Sequence, residues 1–172
     1  MSPENTVCQG EPVSRTPQAE DEKFLLAAIE RAARAREDGN HPFGALLVLD
    51  GELVLEAGNT VITDRDATGH AETNLVRLAS RTYRREQLAG AALYTSTEPC
   101  AMCAGAVYWS GIGRVVYALG EDELLLLTGA NEANPTMALP CREVFAAGQR
   151  PVDVRGPFLY EKAASVHDGF WH

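Results

Sequence analysis

Two short segments restrict this chain more than anything else in it: His70-Ala71-Glu72 and, further on, Pro99-Cys100-Ala101-Met102-Cys103. Cysteines at i and i+3 near a helix start present both sulfurs on one face, and the positive end of the helix favours thiolate over thiol. Two thiolates are half of a tetrahedral zinc site, and His70 supplies a third ligand. Any fold of this chain therefore has to bring two distant stretches together. A Cys, Cys and neutral imidazole set leaves the fourth zinc position to water, which is how catalytic sites differ from closed structural ones. If Thr68-Gly69-His70 opens a helix, Glu72 falls in its first turn beside the metal. There a carboxylate can take a proton from the metal's water and pass it to a leaving group.

Other readings of these residues exist. A lone C-x-x-C is equally a redox pair or half of a structural zinc knot. A structural zinc wants a fourth protein ligand, and the spare candidates Cys8, Cys141, His41 and His167 stand in no paired spacing. A redox pair leaves His70 and Glu72 without a role. Met102 reads as helix packing.

Composition narrows the class. With 172 residues, 45% hydrophobic and 23% charged, the chain reads as one soluble globular domain with a sizeable core. Its longest compact apolar run, Leu124 to Leu127, is far too short to span a membrane. The polar, acidic start is unlike a secretory signal, and four cysteines, two of them assigned to metal, make no disulfide framework. A cytoplasmic location is expected. The formal net charge of −9 has the wrong sign for a protein that grips nucleic acid through phosphate neutralisation. Arg77, Arg81, Arg84 and Arg85 cluster, but on a helix followed by a turn they read as a solvated outer face.

Residues 1–19 mix Pro, Gly and polar residues without period and read as a flexible tail, leaving 20–172 as the folded domain. Apolar residues then recur at helical spacing from Asp21 to Gly39. Strands over 44–49 and 53–57 flank Asp50-Gly51, a type I′ hairpin signal. Helices follow over 69–80, 100–110, 143–147 and 158–167, with strands over 91–96, 114–118 and 152–154; residues 122–140 look irregular. Strands alternating with helices after a hairpin give an α/β fold, a three-layer α/β/α sandwich on a mixed sheet.

H-x-E followed by P-C-x-x-C is a signature of the zinc nucleobase deaminases. Through His70-Ala71-Glu72 and Pro99 to Cys103 the chain resembles the cytidine and deoxycytidylate deaminase superfamily. That resemblance covers roughly Phe24 to Leu119 and implies a five-stranded sheet with Zn²⁺ held at the starts of two central helices. It also implies a homodimer and hydrolytic deamination with Glu72 as the proton carrier. Within the superfamily, His41-Pro42-Phe43-Gly44-Ala45, Asn59 and Thr95 to Trp109 are similar to the guanine deaminase and tRNA adenosine deaminase branch. By that likeness Asn59 and the Ala71 amide hydrogen-bond the substrate, while Phe43 and Trp109 wall the ring. Asn59 also reads as a plain turn residue after Gly58, and Phe43 and Trp109 as core. Guanine deaminases carry proton-transferring acids after the fourth strand, and their C-terminus can close over an active site. This chain has Gly120-Glu121-Asp122-Glu123-Leu124 and a different ending.

The leading expectation is a zinc-dependent hydrolytic deaminase of a free nucleobase or related amino-heterocycle, guanine- or cytosine-like. A tRNA-specific adenosine deaminase, a nucleoside deaminase and a non-catalytic zinc module stay as alternatives. The expected partners are a small-molecule substrate and a second copy of the chain, with no membrane or nucleic acid.

Overall fold

Neighbouring residues of each central strand face opposite layers, and both layers are apolar. The protein, a computed structural model, is described over residues 16–129, 131–132 and 134–171. Most of the tail read over 1–19, Cys8 within it, and His172 lie outside the described residues. Helix α1 (Ala19–Glu37) is followed by β1 (Gly44–Leu49), β2 (Glu52–Gly58), α2 (Ala71–Thr82), α3 (Arg85–Leu88) and β3 (Ala92–Thr97). Then come α4 (Ala101–Ser110), β4 (Arg114–Leu119), α5 (Glu121–Thr128), α6 (Cys141–Ala146), β5 (Asp153–Arg155) and α7 (Tyr160–Ser165).

The five strands form one sheet in the order β2-β1-β3-β4-β5. Strand β1 runs antiparallel to both β2 and β3, whereas β3, β4 and β5 are parallel, so the sheet is mixed. Asp50 and Gly51 both have positive φ, 54° and 79°, as the type I′ hairpin requires. Leu46, Val48, Ala92, Tyr94, Val116 and Ala118 pack on one side against Phe24, Leu25 and Ala28 of α1 and Ala163 of α7. Ala45, Leu47, Leu93, Val115 and Tyr117 pack on the other against α2, α4 and α6. Two-residue alternation in the strands thus produces the three-layer α/β/α sandwich.

Acidic residues Glu20, Asp21 and Glu22 open α1 and Arg34 and Arg36 close it, matching the helix dipole at both ends. Its buried face lies directly on β1. A Cβ at Gly44 would stand 2.5 Å from both the Ala28 carbonyl oxygen and the Ala32 nitrogen. Gly44→Ala is expected to push α1 off the sheet, at about 1–3 kcal/mol and a melting temperature roughly 2–12 °C lower in a thermal melt.

Two helices escape the sequence pattern. Helix α5 occupies part of the stretch that reads as irregular: the Gly120 N–H donates to Glu123 Oε2, and three acids fill the first turn. Its four leucines carry no polar alternation, and only Leu124 is buried while Leu126 is 83% exposed. Helix α3 is a single turn within the arginine cluster, whose members are all exposed. The terminal helix is shorter than its periodicity suggests, because Leu159 adopts a left-handed conformation and caps it. Among the described residues no helix is long and apolar enough to cross a membrane.

Candidate metal and catalytic site

The site sits where α2 and α4 begin. His70 is the N-cap residue of α2, Cys100 that of α4, and Cys103 lies in the first turn of α4. The loop ahead of α2 is pinned from both sides. Asn74 Nδ2 donates to the carbonyls of Gly58 and Gly69, and Asn40 Oδ1 accepts the N–H groups of Ile62 and Thr63.

His70 Nδ1 stands 3.6 Å from each of the sulfurs of Cys100 and Cys103. A tetrahedral centre with Zn–S near 2.3 Å and Zn–N near 2.0–2.1 Å has an N to S edge of about 3.6 Å, so the three atoms fit zinc with Nδ1 as the imidazole ligand. These three residues are the group able to hold a metal among the described residues. Neither Cys141, buried in the core, nor His41 nor His167 joins them, so the donor set is that of an open site. Metal-bound imidazoles usually donate their second ring N–H to a carbonyl or carboxylate, and His70 has no such bond among the described residues. Thr73 Oγ1, 3.5 Å from Cys103 Sγ, supports the buried sulfur.

Charge at the site favours a cation. The hydrogen bond from Cys103 holds the Cys100 thiol down to about 4, with His70 adding to the effect. The same contact, with burial, pushes Cys103 up. His70 is raised, chiefly by its contact with Cys100. A divalent ion held by these three residues would take the place of the protons they bind.

Glu72 lies in the first turn of α2, only 5% exposed. Burial raises its carboxyl above the usual range, and Cys100 adds to the rise. Its Oε1 accepts the Thr95 hydroxyl at 2.8 Å, and the same hydroxyl stands 3.0 Å from the Thr97 carbonyl. One hydroxyl hydrogen therefore faces two acceptors, and the bond to Glu72 fixes where the carboxylate points. Thr95→Val is expected to keep zinc and lower kcat/KM by about 10–100-fold, the worth of one hydrogen bond to a charged group, with Thr95→Ser recovering most of it. Metal content and steady-state kinetics check both.

A cavity of about 40 Å³ opens beside these groups, lined by Phe43, His70, Glu72, Thr97, Cys100, Glu121 and Leu124 among others. A larger one of about 420 Å³ shares Glu98 and Glu121 with it. Burial pushes the Glu121 carboxyl up to about 8, helped by the negative charge of Cys100, Glu98 and Glu72. Thr97, Glu98 and Glu121 line the cavity and Thr95 holds Glu72, and the sequence reading assigned none of them to the site. The period-two alternation of β3 and the place of Glu98 beside Pro99-Cys100 were the signals available for them.

The expected substrate contacts divide. Phe43 lines the cavity. Ala71 opens α2, where backbone N–H groups have no intrahelical partner. Asn59 makes the turn contact, its Oδ1 accepting the Val61 N–H, while its Nδ2 is buried without a partner among the described residues. Trp109 lies elsewhere, near the C-terminal end of α4, 75% exposed and edge-on to Tyr108, and is not among the residues lining this cavity. The helix that brings Cys100 and Cys103 to the site carries Trp109 about 9–14 Å away along its axis.

The C-terminal segment closes the Phe43 wall from behind. Rings of His167 and Trp171 lie 5.4 and 6.2 Å from Phe43, and Trp171 Nε1 donates to His167 Nδ1. Arg36 of α1 holds the Val166 carbonyl and ties the segment down.

Residues 18–119 match the family model described as the cytidine and deoxycytidylate deaminase zinc-binding region. The chain belongs to this deaminase family. A probable cytosine deaminase of Schizosaccharomyces pombe is 39% identical over 151 residues, 88% of this chain and 92% of that protein. A guanine deaminase of Bacillus subtilis is 43% identical over 98 residues, 56% of this chain and 63% of that protein. Among solved structures, one from a study of tRNA:A34 deaminases superposes with a TM-score of 0.61 at 33% identity, covering 80% of this chain and 98% of that one. This deaminase is a zinc-dependent aminohydrolase with the cytidine deaminase-like α/β/α fold.

Proposed function

We propose that this deaminase hydrolyses the exocyclic amine of a free nucleobase or related amino-heterocycle, a cytosine-like ring before a guanine-like one, releasing ammonia. The observation that carries this reading is the closed wall. Phe43 is backed by the chain's own His167 and Trp171, which suits a small ring better than a looped polynucleotide. The net charge of −9 points the same way. The Schizosaccharomyces pombe relative aligns over most of both chains, and its name is that of a probable cytosine deaminase.

Bound zinc activates water for attack on an electron-poor ring carbon. Glu72 takes one proton from the attacking water and delivers it to the amine nitrogen, so that the carbon–nitrogen bond breaks with ammonia as the leaving group. Thr95 orients Glu72 for both transfers. Phe43 supports the face of the ring, and the Asn59 amide and Ala71 N–H donate to its polar edge. A space of about 40 Å³ holds a water or two, so the ring also occupies part of the neighbouring cavity past Glu98 and Glu121. A second copy of the chain, covering the exposed Trp109 and Met102 of α4, completes the assembly; sedimentation at micromolar concentration checks it.

Ammonia release by the zinc-loaded protein decides the reading, assayed on cytosine, guanine, adenine, their nucleosides and a tRNA anticodon stem-loop. Turnover of a free base supports it. Activity confined to the stem-loop replaces it with tRNA editing.

A further inference from the structure

Three hydroxyls end strand β3 in succession, and two of them are occupied. Thr95 holds Glu72. Ser96, pointing to the opposite layer, accepts the Gly44 N–H at 3.1 Å. Thr97 returns to the Thr95 face by the alternation of the strand and lines the cavity with Phe43, His70, Glu72 and Cys100. It is 2% exposed, and its Oγ1 has no hydrogen-bond partner among the described residues.

A buried hydroxyl without a partner is costly, and native proteins keep few of them. Valine would fill the same volume without that cost. The neighbouring acceptors are already engaged: both Glu98 carboxylate oxygens receive backbone N–H groups, and Glu72 Oε1 receives Thr95. What the protein leaves unsatisfied at this wall, a ligand can satisfy.

We infer that the Thr97 hydroxyl is a substrate-positioning group, hydrogen-bonding a ring nitrogen or carbonyl oxygen of the heterocycle. This rests on the function proposed above. A hydroxyl donates and accepts, so it serves either kind of ring atom. Because it lines the same cavity as Phe43, Glu72 and the metal ligands, it sets the angle at which the amine-bearing carbon meets Glu72.

The test compares zinc-loaded wild type, Thr97→Val and Thr97→Ser in two readouts: kcat and KM on cytosine and guanine, and the melting temperature without ligand. The expected result for Thr97→Val is a melting temperature equal to or above wild type. Its kcat/KM on the base that wild type turns over should be about 10–100-fold lower, mostly through KM, with Thr97→Ser within a few-fold of wild type. A purely structural hydroxyl would do the opposite. Wild-type kinetics in Thr97→Val overturns the inference, and so does a melting temperature several degrees lower with zinc retained, since the hydroxyl then has its partner inside the protein. The two ideas fail separately. Wild type that releases ammonia from no free base defeats the proposed function, while the melting comparison still judges Thr97.

Discussion

Replacing Glu72 with Gln is expected to leave zinc and fold in place while lowering kcat by about 10²–10⁴-fold, the contribution of a positioned acid–base group. The substitution keeps the size of the side chain, and the amide oxygen can still accept the Thr95 hydroxyl at the 2.8 Å position. Only the capacity to take and return a proton is lost. Because Glu72 is 5% exposed and raised by burial, the neutral amide avoids the cost of burying a charge, which offsets that of its own NH2 group, so thermal stability should stay close to wild type. Zinc stoichiometry near wild type, an unchanged circular dichroism spectrum and loss of ammonia release together identify the carboxylate as the proton carrier. Full activity in Glu72→Gln would sink that role and leave the metal site without its expected acid–base partner.

The parts of this site that could be read from the chain are those that depend on local geometry. The spacing of Cys100 and Cys103 puts both sulfurs on one helix face whatever the tertiary fold, and the two-residue step from His70 to Glu72 keeps them in one turn. The hairpin at Asp50-Gly51 is equally local. Residues acting through distant partners left no such trace. Thr95 meets Glu72 across 23 residues, and Glu98 meets Cys141 across 43. Helix α5 was hidden because four consecutive leucines have no period, although Glu121, Asp122 and Glu123 after Gly120 are a start signal. Trp109 differs: its place on the ring wall came from resemblance alone, and nearly two turns of helix separate it from Cys103, away from the residues that line the cavity.

Glu98→Gln is expected to be the most destabilising single change near the site that leaves all metal ligands untouched. Strand β3 ends at Thr97, and the Glu98 N–H is bound to the Leu119 carbonyl, so the side chain is delivered between the ends of β3 and β4. There Oε2 accepts the Glu121 N–H at 3.1 Å and Oε1 the Cys141 N–H at 2.8 Å. One buried carboxylate thus serves the first residue of α5 and the first residue of α6, where N–H groups lack intrahelical partners and a negative charge is favoured. Glutamine has one oxygen for two donors, and its amide hydrogens would confront a backbone N–H. Losing one charge-assisted bond and stranding that donor costs about 2–4 kcal/mol, or roughly 4–16 °C in melting temperature. The effect reaches the chemistry through α5, whose start carries Glu121 and Leu124 into the cavity wall. With His70, Cys100 and Cys103 still in place, zinc should remain stoichiometric while KM rises. A Glu98→Gln protein that melts like wild type would show that α5 and α6 are held by their own packing, and that the wall of the cavity does not depend on this carboxylate.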